Sequence, residues 1–459
     1  MRPIFRSAAT ALIVLLVAPA LTAQNAAAYR AATDRIIDAA LKDSAAWNRI
    51  AELTDTFGHR LSGSDALEKA IDWTLARMRE DGLENVRGEP VMVPQWVRGA
   101  ESAELIAPRR KSMTMLGLGG SVATPAGGIT APVLVVTSFD ELTTRAADAK
   151  GKIVLFDAPF TTYGETGAYR RTGASAAARA GAVAMLLRSV GPFSMNSPHT
   201  GSQRYDTTVT KIPAAAITAE DAMMLHRMQD RGQAITVHLT MNARMLPDTP
   251  SRNIVAEIRG RELPDEIVVM GGHIDSWDVG QGAMDDAGGV VAAWEAVRLM
   301  KALGLRPRRT IRVVGWTNEE NGGRGGQAYR AAHAAEVDKH VFAMESDGGV
   351  FRPFGLAAVG SDSAIAMLGR IAPLLARIGA DSVMRGGGEA DIAPLLAAGV
   401  PGAGLIVDGT RYFWYHHTNA DTPDKLDPRD VARCVALMAV YAYVIAEMPE
   451  RLPRTPTAR

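Results

Sequence analysis

Short apolar runs alternate with longer periodic stretches from Ile254 onward. In the periodic stretches apolar residues recur every three or four positions, which is typical of amphipathic helices, whereas the short runs are typical of buried strands. The predicted strands are 267–270, 311–316, 341–344, 355–359 and 403–407, and the predicted helices are 289–303, 363–378 and 428–445. Strands that alternate with helices predict a three-layer α/β/α domain, in which helices cover both faces of a mixed, mostly parallel sheet.

The first half of the chain has a different pattern of apolar and polar residues. Residues 29–82 are predicted to be helical, and residues 91–97 and 103–106 to be strands. Between Met113 and Met241 the apolar runs are short and β-like, at 131–136, 152–156, 182–187 and 235–239, with an alanine-rich helix at 173–180. Because this block has hardly any clustered His or acidic residues, we interpret it as an inserted β-rich module without catalytic groups.

Composition and charge narrow the function classes. The chain has 459 residues, with 50 Lys and Arg against 50 Asp and Glu. This length suggests two or three domains. The balanced charge and the lack of a basic stripe argue against nucleic acid as a partner, because phosphate binding depends on clustered cations. The charged fraction of 22% and the hydrophobic fraction of 47% exclude a largely disordered chain.

The N-terminus has the pattern of a secretory leader. Arg2 and Arg6 precede an apolar run from Ala8 to Val17, and small residues follow up to Ala23. The run is shorter than the roughly 20 residues that a spanning helix needs. We therefore predict a signal peptide at 1–23, export to the periplasm or the medium, and no membrane insertion after its removal. With Cys434 as its single cysteine, the chain cannot form an intramolecular disulfide.

Polar side chains follow several of the predicted strands. They are His273 and Asp275, Asp285 and Asp286, Glu319 and Glu320, Asp347, and His416 and His417. In open α/β sheets, ligands bind beyond the carboxyl ends of the strands, where these residues would meet. Imidazole and carboxylate without thiolate suit a catalytic zinc site. The ligands suffice for two metals if one carboxylate bridges, and such a pair can hold a hydroxide nucleophile and polarise a carbonyl.

This motif set resembles that of the co-catalytic di-zinc exopeptidases, of the aminopeptidase and glutamate carboxypeptidase type. The motifs are His273-x-Asp275, Asp285-Asp286, Glu319-Glu320, Asp347 and His417-Thr-x-x-Asp421-Thr422. The likeness extends from about Leu53 to about Pro428. Within it, the block around 151–155 and 181–186 resembles a protease-associated domain. The resemblance predicts a catalytic domain in two parts, 24–112 and 245–459, with a protease-associated insert at 113–244.

The resemblance also implies roles for the site residues and two zinc ions per chain. His273 and Asp347 would bind one zinc, Glu320 and His417 the other, and Asp285 would bridge them. Glu319 would be the general base, with Asp275 placed to orient the His273 imidazole. A cis peptide between Asp285 and Asp286 is implied as well. For His416 two roles are possible, a hydrogen bond to the developing oxyanion or packing within its loop. Asp286 is expected to have a structural role.

The function predicted from these features is hydrolysis of dipeptides or short peptides by a zinc-dependent exopeptidase, of the dipeptidase or carboxypeptidase kind. An aminopeptidase with the same metals is the alternative, since the motifs do not say which peptide terminus is held. An arginine near the metals would favour a substrate carboxylate, and an acidic group would favour an ammonium. A receptor-like binding protein without chemistry is a further alternative. Peptide is the expected partner, and the resemblance allows a homodimer.

Most of the remaining polar residues are predicted to have structural roles. Six histidines are predicted to be surface or packing residues, namely His59, His199, His226, His238, His333 and His340. Asp391 is predicted to cap a helix that runs toward Leu396. For Glu389, in the same loop, a contact to substrate is a secondary hypothesis.

Overall fold

The computed structural model describes residues 18–456. The apolar run from Ala8 to Val17, on which the leader prediction depends, lies outside them. Among the described residues, no helix is both long enough and apolar enough to cross a bilayer.

Sixteen strands occur within the described residues and form two sheets of eight. In chain order they are β1 Glu84–Val97, β2 Glu101–Ala107, β3 Lys111–Met113, β4 Met115–Gly117, β5 Ile129–Val136, β6 Ile153–Phe156, β7 Ala184–Arg188, β8 Ala214–Ile217, β9 Thr236–Met241, β10 Arg244–Ile258, β11 Leu263–His273, β12 Arg309–Trp316, β13 His340–Glu345, β14 Pro353–Val359, β15 Ser382–Arg385 and β16 Gly402–Val407.

Thirteen α-helices accompany the strands in the same residues. They are α1 Ala18–Lys42, α2 Ala45–Phe57, α3 Asp65–Glu80, α4 Phe139–Thr144, α5 Ala146–Ala149, α6 Tyr163–Arg179, α7 Ala219–Asp230, α8 Gly288–Ala302, α9 Arg324–Ala332, α10 Asp362–Ile371, α11 Ala393–Ala397, α12 Tyr412–Tyr415 and α13 Pro428–Glu447. The predicted helix 363–378 is shorter than expected: α10 ends at Ile371, and a 3₁₀ turn, Ala372–Ile378, follows it. Pro373 has no N–H to continue the α-helical ladder, which explains the change.

The first sheet has the strand order β1-β10-β12-β11-β13-β16-β14-β15. Its four central strands, β12, β11, β13 and β16, are parallel to one another. Strand β10 pairs antiparallel with β12 and with the edge strand β1, and β14 pairs antiparallel with β16. Successive side chains of a strand point to opposite faces. Val268 and Met270 accordingly pack with α8 and α13, whereas Ile267 and Val269 join a smaller core with Tyr329 of α9. The predicted three-layer α/β/α architecture is confirmed.

The second sheet contains β2 to β9 in the order β3-β2-β9-β5-β6-β7-β8-β4. Its own cores include the buried residues Leu105, Leu155 and Leu239 on one face and Phe156 on the other. The predicted β-rich insert is therefore present. Its sheet begins at Glu101, ahead of the predicted boundary at 113, because β2 pairs with β9, which is distant in sequence.

The insert leaves and rejoins the catalytic domain at one place. Strands β1 and β10 form a long antiparallel ribbon in which Val97 lies opposite Arg244. Beside this junction, a small core of buried residues connects the two units, and Trp277 lies against Gly119, where any Cβ would collide with the indole ring. This contact fixes the insert next to the loop that follows β11.

Candidate metal centre

Three parallel strands of the first sheet end at the same edge and deliver most of the predicted site residues. His273 is the last residue of β11 and lies opposite Trp316, the last residue of β12. Glu319 and Glu320 follow β12, and Asp347 follows β13 by two residues. The carboxyl ends of adjacent parallel strands are where open α/β sheets bind ligands. The structure thus brings residues that are distant in sequence to one edge.

His273, Asp285 and Asp347 form a first group of possible metal ligands. The Nε2 atom of His273 lies 3.2 Å from Asp285 Oδ1 and 3.1 Å from Asp347 Oδ1. Its Nδ1 atom is 3.0 Å from the carbonyl oxygen of Asp275. A proton on Nδ1 would satisfy that contact and leave Nε2 as the nitrogen available to a metal.

Asp285, Glu320 and His417 form a second group that shares Asp285 with the first. The Nε2 atom of His417 lies 3.0 Å from Glu320 Oε2 and 3.3 Å from Asp285 Oδ2. Each oxygen of the Asp285 carboxylate therefore faces a different histidine. This is the arrangement that a bridging carboxylate needs.

The donor chemistry and burial of these residues fit zinc. Asp285 Oδ2 is buried with the Nε2 atoms of His416 and His417 each 3.3 Å away, and a carboxylate buried to this degree is costly unless neighbouring groups compensate its charge. Burial by itself would raise the pKa of Asp285, but the hydrogen bonds of His273 and His417 hold it well below its ordinary value. Asp285 is thus an anion in the folded protein. Two imidazoles and three carboxylates are donors that zinc accepts in catalytic sites.

Backbone contacts hold the turn that carries Asp285. The carboxylate of Asp421 accepts hydrogen bonds from the N–H groups of Ala283, Met284 and Asp285, at 2.7–3.2 Å. Burial raises the pKa of Asp421 to about 7. The peptide between Asp285 and Asp286 is cis, as the resemblance implies.

Asp286 and Arg60 connect this turn to the end of β11. Asp286 accepts hydrogen bonds from the N–H groups of His273 and Gly289, so it acts on the backbone. The fully buried Arg60 guanidinium donates to the carbonyl oxygens of Ile274, Gln281 and Gly282, among others. One side chain thus holds the segment after His273 and the segment before Asp285.

Asp275 acts mainly on the other loop of the site. The N–H groups of Glu319 and Glu320 donate to its carboxylate, at 3.1 and 3.4 Å, and Ser62 Oγ lies 3.1 Å from it. Its contact to the His273 ring is made by the main-chain carbonyl, whereas its Oδ1 lies 3.7 Å from His273 Nδ1. The Asp275 carboxylate therefore positions the two glutamates more directly than the imidazole it was expected to orient.

Glu319 lies half-buried in the same cleft as the metal-ligand candidates. Its side chain makes no hydrogen bond or salt bridge within the part of the chain that the structure describes. Burial and the neighbouring Asp347 carboxylate raise the pKa of Glu319 well above its ordinary range. A carboxylate with a raised pKa is suited to accept a proton near neutral pH.

The insert adds a histidine that the sequence analysis assigned to surface or packing. His199 is buried, and its Nε2 atom lies 2.8 Å from Nδ1 of His416. The other ring nitrogen of His416, Nε2, lies 3.3 Å from Asp285 Oδ2. His416 is therefore held between the insert and the shared carboxylate, and its role stays a prediction.

Two further histidines, which were predicted to be surface or packing residues, pair with acidic side chains. His226 Nδ1 lies 2.8 Å from Asp157, and His333 contacts Glu89 and Glu336, each at 3.1 Å. Neither histidine belongs to a group of possible metal ligands among the described residues, so these contacts do not extend the site.

Comparison with known proteins assigns the chain to a family. Residues 253–442 match the model of peptidase family M28, and residues 121–225 match the model of the PA domain. Carboxypeptidase Q of Mus musculus is 50% identical over 409 residues, which cover 89% of this chain and 87% of the mouse protein. The chain belongs to peptidase family M28. Carboxypeptidase Q of Homo sapiens is 49% identical over the same shares.

Solved structures agree with the M28 assignment. A peptidase M28 precursor from Shewanella amazonensis SB2B has a TM-score of 0.91 and 36% identity, and the match covers 94% of this chain and 100% of that one. A zinc aminopeptidase from Bacillus subtilis, at 22% identity and a TM-score of 0.68, shares the fold over 89% of this chain and 96% of its own. The family and the imidazole and carboxylate donors together make the chain a zinc metallopeptidase, as predicted.

The M28 site opens into a cleft of about 400 Å³. Besides Glu319 and four of the five metal-ligand candidates, namely Asp285, Glu320, Asp347 and His417, the cleft is lined by Tyr163 and Arg170 of the insert, and by Gly348, Glu389, Tyr412 and His416. Sequence reasoning missed Arg170 as a site residue. It lies on α6, far from the motifs in sequence, and only the packing of the insert brings it there.

The loop before α11 differs from its prediction. Asp391 does not cap the helix, because α11 begins at Ala393 and Ile392 occupies the cap position without a side-chain hydrogen bond. The Asp391 carboxylate is instead buried without a hydrogen-bond partner among the described residues, and burial raises its pKa to about 8. Burial and the Asp347 carboxylate raise the pKa of Glu389 to about 7.

Proposed function

We propose that this M28 peptidase is a dipeptidase or carboxypeptidase that hydrolyses unblocked dipeptides and short peptides at a centre of two zinc ions. The main support for this proposal is the position of Asp285, because one of its carboxylate oxygens faces His273 and the other faces His417. Each histidine also contacts one further carboxylate, Asp347 or Glu320. His273 and Asp347 would hold one ion, Glu320 and His417 the other, and Asp285 both.

The zinc ions and the protein side chains would have different roles in the hydrolysis. Bound zinc supplies Lewis-acid polarisation of the peptide carbonyl and lowers the pKa of water. Glu319 would take the proton from the attacking water and deliver it to the leaving amine. Its free side chain in the cleft and its raised pKa support that role. His416 Nε2, beside Asp285, is a candidate donor to the developing oxyanion.

Arg170 supports recognition of the substrate carboxylate. Its side chain is buried and lines the cleft, yet it makes no salt bridge with a described carboxylate. One N–H donates to the carbonyl oxygen of Thr200 and another to the Tyr163 hydroxyl, while Nε has no partner. Three of the five guanidinium N–H groups thus have no hydrogen-bond partner among the described residues. A planar cation with free donors suits a carboxylate, which favours a dipeptidase or carboxypeptidase over an aminopeptidase.

A substrate panel tests this proposal. Leu-Leu, Leu-Leu amide and leucine p-nitroanilide are offered to the zinc-loaded protein and to Arg170→Met. We expect the wild type to cleave Leu-Leu at least about tenfold more efficiently than the amide, because only Leu-Leu offers a carboxylate to Arg170. The variant should lose that preference through a higher KM.

The outcomes separate the candidate functions. Cleavage of the nitroanilide alone would make the protein an aminopeptidase, and no cleavage of any substrate would support a binding protein. Because Arg170 also contacts Thr200 and Tyr163, the thermal unfolding of Arg170→Met is measured beside the kinetics. A variant that unfolds like the wild type and keeps the preference for Leu-Leu would contradict the role of Arg170.

We also propose export with removal of residues 1–23, on the basis of the leader pattern. N-terminal sequencing of the mature protein checks this, and we expect Gln24 as its first residue. A homodimer stays a prediction from the family resemblance, and sedimentation of the zinc-loaded protein would decide it.

A further inference from the structure

Glu389 is an acidic side chain of the cleft that the proposed chemistry does not use. It lies half-buried in the loop between β15 and α11, and it lines the same cleft as Glu319 and Arg170. Its carboxylate packs directly on Gly404 of β16, where any added Cβ would collide with Oε1. Within residues 28–456, Glu389 has neither a hydrogen bond nor a salt bridge from its side chain. A partly desolvated carboxylate without a cation is unfavourable in the free protein.

Glu389 and Arg170 lie on different sides of the metal-ligand candidates. Gly404, under Glu389, is paired with Glu345 at the end of β13, the strand that leads to Asp347. Arg170 instead contacts Thr200, whose N–H donates to the carbonyl oxygen of His417. The anion is therefore on the side of the first ligand group, and the cation is on the side of the second.

We infer that Glu389 binds the free α-ammonium group of the substrate and so restricts the enzyme to peptides with an unblocked N-terminus. This inference rests on the proposed peptidase function. Two extended residues span about 7 Å, so a dipeptide that places its carboxylate at Arg170 would carry its ammonium toward the opposite side of the cleft. Its single peptide bond would then lie between the two ends, beside Glu319.

The consequence is selection by charge at both ends of a short peptide. An acetylated N-terminus has no positive charge, so it would leave the Glu389 carboxylate desolvated and unpaired. Leaving a partly buried charged group without its partner costs more than the lost contact alone. Glu389 would therefore be a specificity residue, with no part in the chemical step.

Glu389→Gln tests this inference, because it keeps the shape of the side chain and removes its charge. Leu-Leu and N-acetyl-Leu-Leu are compared as substrates of the zinc-loaded wild type and variant. We expect the wild type to favour Leu-Leu by at least about tenfold, in the range of a hydrogen bond to a charged group. The variant should lose about tenfold in kcat/KM for Leu-Leu, mainly through KM, and should treat N-acetyl-Leu-Leu as the wild type does.

Glu80→Gln is the matched control, since it removes one carboxylate from the exposed end of α3. It should leave both substrates unaffected. If N-acetyl-Leu-Leu is not cleaved, its inhibition constant against Leu-Leu hydrolysis replaces its kcat/KM. Zinc content is measured for every protein.

Three results would overturn the inference. They are an unchanged preference in Glu389→Gln, equal cleavage of both peptides by the wild type, and loss of zinc from the variant. All three leave the dipeptidase function intact if Leu-Leu is still cleaved by the wild type. If the wild type does not cleave Leu-Leu at all, the proposed function fails first, and the role of Glu389 fails with it.

Discussion

Some side chains of the metal centre can be identified from the sequence alone, and others cannot. His273, Asp285, Glu320, Asp347 and His417 come together as the motifs predict, because each ends or follows a strand of the first sheet or lies in a loop beside it. His199 and Arg170 could not be found in the same way. Their contacts depend on how the insert packs, and the chain separation between His199 and His416 is 217 residues.

Glu319 provides the sharpest prediction for a single residue. Glu319→Gln keeps the side-chain shape but cannot accept the proton, so we expect turnover of Leu-Leu to fall by about 10²–10⁴-fold. Zinc content should be unchanged, because the ligand candidates are other residues. Turnover and metal content are measured on the same samples, with the exposed Glu52→Gln as a control that should behave like the wild type. Full activity in Glu319→Gln would remove it as the base.

Strands and helices were predicted well where a pattern of apolar residues within the element indicates them. They were predicted less well where a strand pairs with another strand that is distant in sequence. The strands around 267–270 and 311–316 and the helix at 428–445 correspond to β11, β12 and α13. The start of the insert sheet was missed because β2 contacts β9, which no local pattern indicates. The Asp391 cap was wrong because a residue that is polar and precedes a helix can also be buried against a neighbouring site.

The segment between β11 and α8 depends on Arg60, which gives a prediction for this element. Arg60→Lys cannot reproduce the several hydrogen bonds of the guanidinium to Ile274, Gln281 and Gly282. We expect zinc to bind about 10–100-fold more weakly, because residues that orient metal ligands affect affinity on this scale. Competition with a chelator measures the affinity. Arg35→Lys, on the exposed surface of α1, should have no effect.

Unchanged zinc affinity in Arg60→Lys, together with lowered thermal stability, would contradict this account. It would mean that Arg60 supports the fold in general and has no particular effect on the geometry of His273 and Asp285.

At the scale of the whole molecule, the insert is part of the active centre. Its segment 199–202 contacts both loops of the second ligand group: the Thr200 N–H donates to the His417 carbonyl oxygen at 3.0 Å, and Ser202 Oγ donates to the Glu320 carbonyl oxygen at 2.7 Å. From sequence alone, the insert is predicted to be a module without catalytic groups. The structure adds that the insert lines the cleft through Tyr163 and Arg170.

Gly119 tests this dependence on the insert. In Gly119→Ala the new methyl group would collide with the Trp277 ring, and the insert has to shift away from the β11 loop. We expect kcat/KM for Leu-Leu to fall by about tenfold or more, since small displacements of binding groups are costly. Zinc content should stay unchanged, and kinetics with metal analysis measures both. Gly164→Ala on α6, with no atom near the added Cβ, is the control. Equal activity of the two variants would contradict the predicted coupling.

The place where the insert interrupts the catalytic domain also sets the order in which the protein can be assembled during synthesis. Strand β1 pairs only with β10 in the described sheet, and β10 begins at Arg244, after the whole insert has been made. Since chains emerge from the N-terminus and domains fold as units, the insert can fold while β1 still has no partner strand. An unpaired strand of this length is prone to pair with other chains, so the nascent protein is most exposed to aggregation in that interval.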